Sequence, residues 1–206
     1  MDALNQPHEA MQAALKAIRA GECIVMPTDT VYGIAADPFR ADAVQRLLDA
    51  KQRGRDMPPP VLIADAGAMS ALVEEVTVDA KALAQAYWPG ALTLVMNASP
   101  ALRMELGDRG HTIAVRVPDH GFACDLLRLT GPLAVSSANV SGQPAATDVE
   151  QAEAMLGESV CVYLDCGPTS SLQSSTIVDL TGPARILREG ILSRADIAEV
   201  VDLAAE

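Results

Sequence analysis

Aromatic side chains are scarce in this sequence, where they make up 3% of the 206 residues. The hydrophobic core is therefore expected to consist mainly of Ala, Val, Leu, Ile and Met. Material for it is plentiful, because half of all residues are apolar. A chain of this length fits a single domain over residues 1–206. Tyr32 lies within a polar motif and is a candidate functional residue rather than packing material.

Positive charge is also in short supply, with 15 Lys and Arg against 27 Asp and Glu and a net charge of −12. Such a balance favours solubility and repels nucleic acid on average. Any contact with RNA therefore has to come from a local basic patch.

Metal-ligand and disulfide patterns are missing. The four cysteines form no Cys-x-x-Cys pair, and the three histidines are spaced neither for a shared metal ion nor for a catalytic triad. We predict no metal held by protein ligands alone, no catalytic histidine, and cysteines that are buried small apolar residues in a reducing compartment. The residues concerned are Cys23, Cys124, Cys161, Cys166, His8, His111 and His120.

The sequence has no apolar run of signal-peptide length near its start, and none reaches the roughly 18 residues that a membrane span needs. A cytoplasmic protein without membrane contact is the expectation. The common phosphate-binding loops are missing as well: neither Gly-x-x-x-x-Gly-Lys-Ser/Thr nor Gly-x-Gly-x-x-Gly after a strand occurs. A nucleotide would need another kind of site.

Apolar spacing and turn residues predict helices and strands that alternate irregularly, without an internal repeat or a linker. This pattern indicates an α/β (mixed α+β) protein with an open mixed sheet and helices packed against it. The predicted helices cover 8–19, 41–52, 66–74, 78–87, 148–156 and two segments starting near 120 and 193. The predicted strands cover 22–27, 61–64, 91–96, 112–117, 133–137, 160–164, 176–180 and 184–188.

A polar motif, Pro27-Thr28-Asp29-Thr30-Val31-Tyr32-Gly33, follows the first predicted strand. Its hydroxyls and carboxylate suit an oxygen-rich ligand. Its glycine permits a backbone turn that a side chain would resist. A solvated loop whose Thr and Asp cap the next helix is an equally good interpretation, since such clusters are common at turns.

Three cations, Lys51, Arg53 and Arg55, lie within five residues before the stiff segment Met57-Pro58-Pro59-Pro60. Helical periodicity places Lys51 on the core-facing side of the last turn of helix 41–52, so its ammonium needs a partner there. The cluster is a candidate anion site, because guanidinium groups suit phosphate. The alternatives are a cation on the helix dipole for Lys51 and a solvated charge run for the cluster.

Strand 112–117 has the clearest two-residue alternation in the chain. Thr112, Ala114 and Arg116 share one face of it, which leaves room for a ligand over the small Ala114. A buried ion pair between Arg116 and an Asp is the ordinary alternative. A second polar cluster follows strand 133–137 and contains Ser137 and Asn139.

Six short motifs in this order resemble the YrdC-like family of threonylcarbamoyl-AMP synthases, in its short single-domain branch. They cover residues 10–200 and are 27–33 (PTDTVYG), 51–53 (KQR), 114–118 (AVRVP), 137–142 (SANVSG), 175–179 (STIVD) and 187–190 (LREG). The resemblance implies a twisted open sheet with a large concave cavity. It also implies a nucleotidyltransferase that makes threonylcarbamoyl-AMP and diphosphate from L-threonine, bicarbonate and ATP.

The resemblance further implies that Mg²⁺ arrives with ATP, and that the product passes to downstream transferase proteins that modify tRNA. It gives Lys51 and Arg53 the catalytic role. The threonine substrate would meet Thr28, Tyr32, Arg116 and Ser175. The residues implied for ATP are Lys51, Arg53, Arg55, Thr112, Ser137, Asn139 and Arg188.

Several positions depart from the family pattern, and they leave the roles of Arg55 and the 143–146 loop open. These are Asp29 in place of Glu, Gly54 in place of Pro, the 57–60 segment, Ser136 in place of Pro, and Ala145 in place of Ser. Two other functions remain open: a non-catalytic relative that binds RNA or tRNA weakly in the cavity, and a carbamoyltransferase that uses carbamoyl-adenylate.

Overall fold

Nine strands form one open mixed sheet in the computed structural model, which describes residues 1–108 and 110–204. The order across the sheet is β7-β1-β2-β6-β3-β5-β4-β8-β9. The strands are β1 (Ile24–Met26), β2 (Gly33–Ala36), β3 (Val61–Leu62), β4 (Leu92–Asn97), β5 (Thr112–Arg116), β6 (Leu133–Ser137), β7 (Val162–Tyr163), β8 (Thr176–Asp179) and β9 (Arg185–Arg188). The pairs β1–β7, β3–β5 and β4–β8 are parallel and the other neighbours are antiparallel, so the predicted fold class is confirmed.

Helices pack on both faces of this sheet. They are α1 (Pro7–Ala20), α2 (Ala41–Ala50), α3 (Val78–Tyr87), α4 (Gly121–Thr130), α5 (Val149–Leu156) and α6 (Arg194–Ala198), with short 3-10 turns at Ala66–Ala71 and Gly157–Ser159. Within the described part of the chain, no helix is long and apolar enough to cross a membrane.

The two faces of the sheet are covered to different extents. On one face, α2, α3, α5 and α6 contribute to a single large core. On the other face, α1 and α4 pack against β1, β2, β3 and β6 through residues such as Leu15, Leu126 and Leu133. That second core stops at β3, so the strip over β5, β4 and β8 carries no helix from the described residues. This uncovered strip is where the cavity lies.

Most elements agree with the sequence-based expectations. Helix Val78–Tyr87 and strand Leu133–Ser137 have the predicted bounds. Gly21 ends α1 in the left-handed conformation, with φ of 80°. Ser193 and Asp196 form the predicted capping box of α6. Helix α2 is shorter than predicted and ends at Ala50.

Two expectations are wrong. Strand β2 was absent from the predicted elements, since its four residues are all buried and show no polar alternation to mark a strand. Cys161 is exposed rather than buried, although Cys23 and Cys124 are buried and all four cysteines are free thiols.

Gly33 has a different role from the flexible turn expected of it. It is the first residue of β2 and pairs with Ser137 of β6. A Cβ atom built on it would lie 2.6 Å from Cγ1 of Val135. The glycine therefore leaves room for the Val135 side chain of the neighbouring strand beside the cavity.

Replacing Gly33 with alanine should lower the free energy of unfolding by about 1–3 kcal/mol, because the new methyl group would clash with the packed Val135 side chain. Gly182→Ala is the matched control, since a Cβ at Gly182 meets nothing within 4 Å. Urea denaturation of both variants measures the difference. Equal stability of the two variants would contradict the close-approach explanation.

Candidate functional site

A cavity of about 290 Å³ lies over the uncovered strip of the sheet. Its floor comes from alternate residues of the strands, so Thr112, Ala114 and Arg116 all line it, as the two-residue period predicts. Thr93 and Ile177 continue this floor on β4 and β8. The walls of the cavity are formed by the motif segments and the 58–60 segment. The residues that line them are Thr28, Thr30, Arg53, Pro58, Pro59, Pro60, Ser136, Ser137, Ser175 and Arg188.

Arg116 is buried at the end of β5 and is held by three acceptors. Its Nη2 donates to Oδ1 of Asp29 at 2.6 Å, its Nη1 to the Thr30 hydroxyl at 3.0 Å, and its Nε to the Gly90 carbonyl at 2.9 Å. A guanidinium has five N–H donors, so two of them, one on each Nη, make no hydrogen bond to the described residues and can serve a ligand. A planar pair of donors of this kind matches the two oxygens of a carboxylate.

Asp29 and Arg116 form a largely buried ion pair, with side-chain exposures of 15% and 7%. Burial lowers the pKa of Arg116, and the Asp29 carboxylate works against that lowering. The alternative of a buried ion pair with an Asp is thus correct, and it coexists with a cavity above Arg116.

Two further guanidinium groups enter the cavity. Arg53 donates from Nη1 to the Ser136 hydroxyl at 3.1 Å, and its buried Nε has no partner among the residues that the structure describes. Arg188 is anchored by Ser175, whose carbonyl accepts from Nη2 at 2.7 Å. Burial lowers the pKa of Arg53, and the charge of Arg188 adds to that effect.

Lys51 lies behind the cavity wall instead of lining it. The side chain is 2% exposed, as its core-facing position predicts. Its ammonium donates to the main-chain oxygens of Ser137 and Asn139 and, at 3.2 Å, to Oδ1 of Asn139. Burial, aided by the charge of Arg53, lowers the pKa of Lys51 from 10.5 to about 8. The predicted contact of Lys51 with ATP stays a prediction.

Asn139 is used within its own loop. Its Nδ2 donates to the carbonyls of Val140 and Gln143, and its Oδ1 accepts from Lys51. Together Lys51 and Asn139 hold the 137–143 segment, whose first residue, Ser137, lines the cavity. The predicted contact of Asn139 with ATP stays a prediction.

The hydroxyl of Thr28 faces its own turn. It donates to the Val31 carbonyl at 2.6 Å and lies 3.0 Å from the Thr30 hydroxyl. Tyr32 is buried, and its hydroxyl donates to the Gly167 carbonyl and accepts from the Cys166 amide. Tyr32 thereby ties the first motif to the Ser-rich 167–174 loop, and its predicted contact with threonine stays a prediction.

Arg55 lies outside the cavity. It contacts Asp108 at 3.5 Å and the Gln45 side chain at 3.1 Å, and the ion pair is exposed. Of the three clustered cations, only Arg53 lines the cavity. The cations that meet in the cavity are therefore not the three neighbours in sequence but three guanidiniums from distant segments, Arg53, Arg116 and Arg188.

A second, more open hollow of about 1050 Å³ adjoins the cavity at Thr28, which lines both. Asp29, Asp119 and His120 line it on one side, and the 166–173 segment lines it on the other. Burial lowers the pKa of His120, and its Nδ1 accepts the Ala123 amide at the start of α4. This imidazole caps the N-terminus of α4.

Sequence reasoning placed Asp29 and Thr30 in a candidate ligand-binding motif but did not identify them as the partners of Arg116, because nothing local marks that pairing. It missed Thr93 altogether. Thr93 bonds the Ser175 hydroxyl at 2.8 Å, and its position on the cavity face follows from strand periodicity. The chemistry of the arrangement suits anions, and the Arg116 guanidinium has two N–H donors that match the two oxygens of a carboxylate. The described residues contain no group of three or more His, Cys, Asp or Glu able to hold a metal.

Comparison with known proteins adds the following similarities. A protein-family model, Sua5/YciO/YrdC, with the description Telomere recombination, matches residues 16–190. A Mycobacterium tuberculosis protein, provisionally named a threonylcarbamoyl-AMP synthase, is 50% identical over 201 residues, which cover 97% of this chain and 93% of that protein. The Bacillus subtilis threonylcarbamoyl-AMP synthase is 36% identical, over 96% of this chain and 57% of that longer protein.

Among solved structures, the Sua5 protein of Pyrococcus abyssi complexed with L-threonine superposes with a TM-score of 0.88 at 35% identity. The match covers 93% of this chain and 57% of that one. The chain thus corresponds to somewhat over half of that protein.

Lys51 allows a pH-dependent test of its buried position. Because its pKa is about 8 when folded and has the ordinary value of 10.5 when unfolded, the unfolded chain holds a proton between these pH values that the folded protein has released. The contribution of Lys51 to stability therefore rises with pH. We expect the free energy of unfolding, relative to Lys51→Met, to increase by about 1–3 kcal/mol between about pH 7.5 and 10.

Urea denaturation of the wild-type protein and of Lys51→Met across this pH range measures the difference. Subtracting the Lys51→Met values removes the contribution of other titrating groups. A constant difference would mean that the three oxygen acceptors keep the ammonium charged despite its burial.

Proposed function

The chain belongs to the Sua5/YciO/YrdC family, and from this membership we propose that it is an L-threonylcarbamoyladenylate synthase. The reaction converts L-threonine, bicarbonate and ATP into threonylcarbamoyl-AMP, diphosphate and water. It is a nucleotidyl transfer, in which a carbamate oxygen bonds to the α-phosphorus of ATP and the bond to diphosphate breaks.

The observation that carries this proposal is the convergence of Arg53, Arg116 and Arg188 on one cavity of a protein with net charge −12. Among the described residues only Asp29, which lies beside the cavity, forms an ion pair with one of them, Arg116. Arg116 is buried, Arg53 is half-buried and Arg188 is exposed at the rim, and cations in such excess around one cavity call for anionic ligands. A triphosphate and an amino-acid carboxylate supply those charges.

We assign Arg53 and Arg188 to the nucleotide and Arg116 to the threonine carboxylate. The unpartnered Nε of Arg53 is a donor ready for a phosphate oxygen. Ser136, Ser137 and Thr112 would add polar contacts along the same wall. Thr28 is connected to Arg116 through the Thr30 hydroxyl, next to the proposed threonine site. Ser175, which anchors Arg188, would also contact the threonine, as the family resemblance implies.

Catalysis in this scheme is positioning and charge stabilisation rather than covalent work by the protein. The chain would hold the carbamate in line with the α-phosphorus, and Arg53 would stabilise the charge that develops on the leaving diphosphate. Lys51 would act from behind the wall by fixing the carbonyls of Ser137 and Asn139. Direct contact of its ammonium with ATP would require a change of rotamer.

Mg²⁺ would enter with ATP as part of the substrate. The cavity lining offers hydroxyl oxygens and guanidiniums rather than clustered carboxylates, which suits a metal coordinated by phosphates and water. The bound ion would neutralise phosphate charge. Its requirement is tested by diphosphate release with and without a chelator.

The product, a mixed anhydride of a carbamate and AMP, would pass to downstream transferase proteins that modify tRNA, and the enzyme would work in the cytoplasm. Weak RNA or tRNA binding remains a second candidate function, and salt-dependent binding without diphosphate release would support it. A carbamoyl-adenylate-using transferase is the third, and threonine dependence separates it from the first.

Incubation with labelled ATP, bicarbonate and single amino acids tests the activity directly. Diphosphate release should require bicarbonate and should be fastest with L-threonine. Release without any amino acid, or no release with all of them, would contradict the proposal.

Arg53 and Arg55 permit a sharper test, because they lie two residues apart on the same loop. Arg53→Gln should lower kcat/KM for ATP by about 100-fold, since a charged donor to phosphate is lost. Arg55→Gln should change it by less than about threefold, because Arg55 lies outside the cavity. Steady-state diphosphate release measures both.

Arg128→Gln, which removes an exposed cation of α4, controls for total charge. A loss in Arg55→Gln as large as in Arg53→Gln would support the sequence-based role of Arg55 and contradict the cavity geometry.

A further inference from the structure

Asp29 has a carboxylate oxygen that the ion pair with Arg116 does not use. Both of its hydrogen bonds fall on Oδ1, which accepts from Nη2 of Arg116 at 2.6 Å and from the amide of Asp119 at 3.1 Å. Oδ2 accepts no hydrogen bond from the residues that the structure describes. A carboxylate oxygen with this freedom, beside a fixed guanidinium, is an acceptor for a ligand.

The two members of the ion pair face different spaces. Arg116 lines the smaller cavity and Asp29 lines the larger hollow, while Thr28 lines both and marks their junction. A ligand at this junction meets a cation from one side and an anion from the other. The spacing of these charges is fixed, because their direct contact is only 2.6 Å.

The larger hollow also has the electrostatic character that a cation requires. Asp29 and Asp119 line it, and burial lowers the pKa of His120 beside them, which disfavours a positive charge on the imidazole. A positive group entering from that side is attracted toward Oδ2 of Asp29.

We propose that the Asp29–Arg116 pair binds the zwitterionic head of the amino acid, with the ammonium on Oδ2 of Asp29 and the carboxylate on Arg116. This inference rests on the proposed function. It adds Asp29 to the threonine site as the residue that recognises the amino nitrogen, which becomes the carbamate nitrogen. When the N–C bond forms and the C–OH bond of bicarbonate breaks, one proton of the ammonium leaves with the hydroxyl as water and a second is released to solvent, so the nitrogen keeps one N–H, which can still donate to Asp29. The contact thus serves both the substrate and the intermediate.

The test compares two ligands that differ only at the amino group, L-threonine and 2,3-dihydroxybutanoate, in which a hydroxyl replaces it. Calorimetry should show that the wild-type protein binds L-threonine at least tenfold more tightly than the hydroxy acid. In Asp29→Asn the Kd for L-threonine should rise about 10- to 100-fold, and the Kd for the hydroxy acid should change less than about threefold. Asparagine keeps the oxygen that accepts from Arg116.

Asp125→Asn is the matched control, because it removes an exposed carboxylate that pairs with Arg128 on α4 and lines neither the cavity nor the hollow. It should change neither Kd by more than about threefold. Asp29→Glu keeps the charge and should retain discrimination between the ligands. The Kd for ATP reports whether each variant is folded.

Equal weakening of both ligands in Asp29→Asn would overturn the proposal, since Asp29 would then act only by orienting Arg116. Equal binding of both ligands to the wild-type protein would overturn it as well, even if Asp29→Asn fails to fold. Either result leaves the synthase function standing. A wild-type protein that binds ATP but neither ligand would contradict the synthase function together with this inference.

Discussion

A guanidinium buried in the middle of a sheet is the constraint on which the site depends. Arg116 is 6% exposed, and a charge at that depth is tolerated only when it is paired and hydrogen-bonded. Its three acceptors come from the loop after β1 and from Gly90, just before β4, so satisfying it brings these segments to the end of β5. Asp29 also accepts the amide of Asp119, which adds the segment leading into α4.

Lys51 imposes the same requirement on the opposite wall. It ends α2, and the apolar stripe of that helix carries it inward. The acceptors that satisfy it are chiefly main-chain carbonyls more than 80 residues away, and they define the course of the loop after β6. The two buried cations therefore fix the two loops between which the cavity opens. The uncovered strip of sheet supplies its floor.

Local sequence patterns predict which way a side chain faces, but they do not predict its partners from distant parts of the chain. Strand periodicity predicted the shared face of Thr112 and Arg116, and helix periodicity predicted the inward position of Lys51. The partners could not be predicted, because Arg116 and Asp29 are 87 residues apart and the carbonyls that accept from Lys51 have no sequence signature. For the same reason Arg55 looked equivalent to Arg53, since adjacency in sequence does not say which side chain enters a cavity. Family resemblance supplied the chemistry that local patterns lacked.

The contrast between an acidic protein and a cationic cavity bears on the choice between small and large anions. At physiological ionic strength charges are screened beyond about 8 Å, so a nucleotide inside the cavity interacts chiefly with the guanidiniums around it. A polynucleotide extends over many such lengths, so most of its phosphates would face a surface that carries the net charge of −12. Enclosure of the positive charge therefore favours a ligand small enough to enter. A nucleotide and an amino acid meet that condition, and an RNA duplex does not.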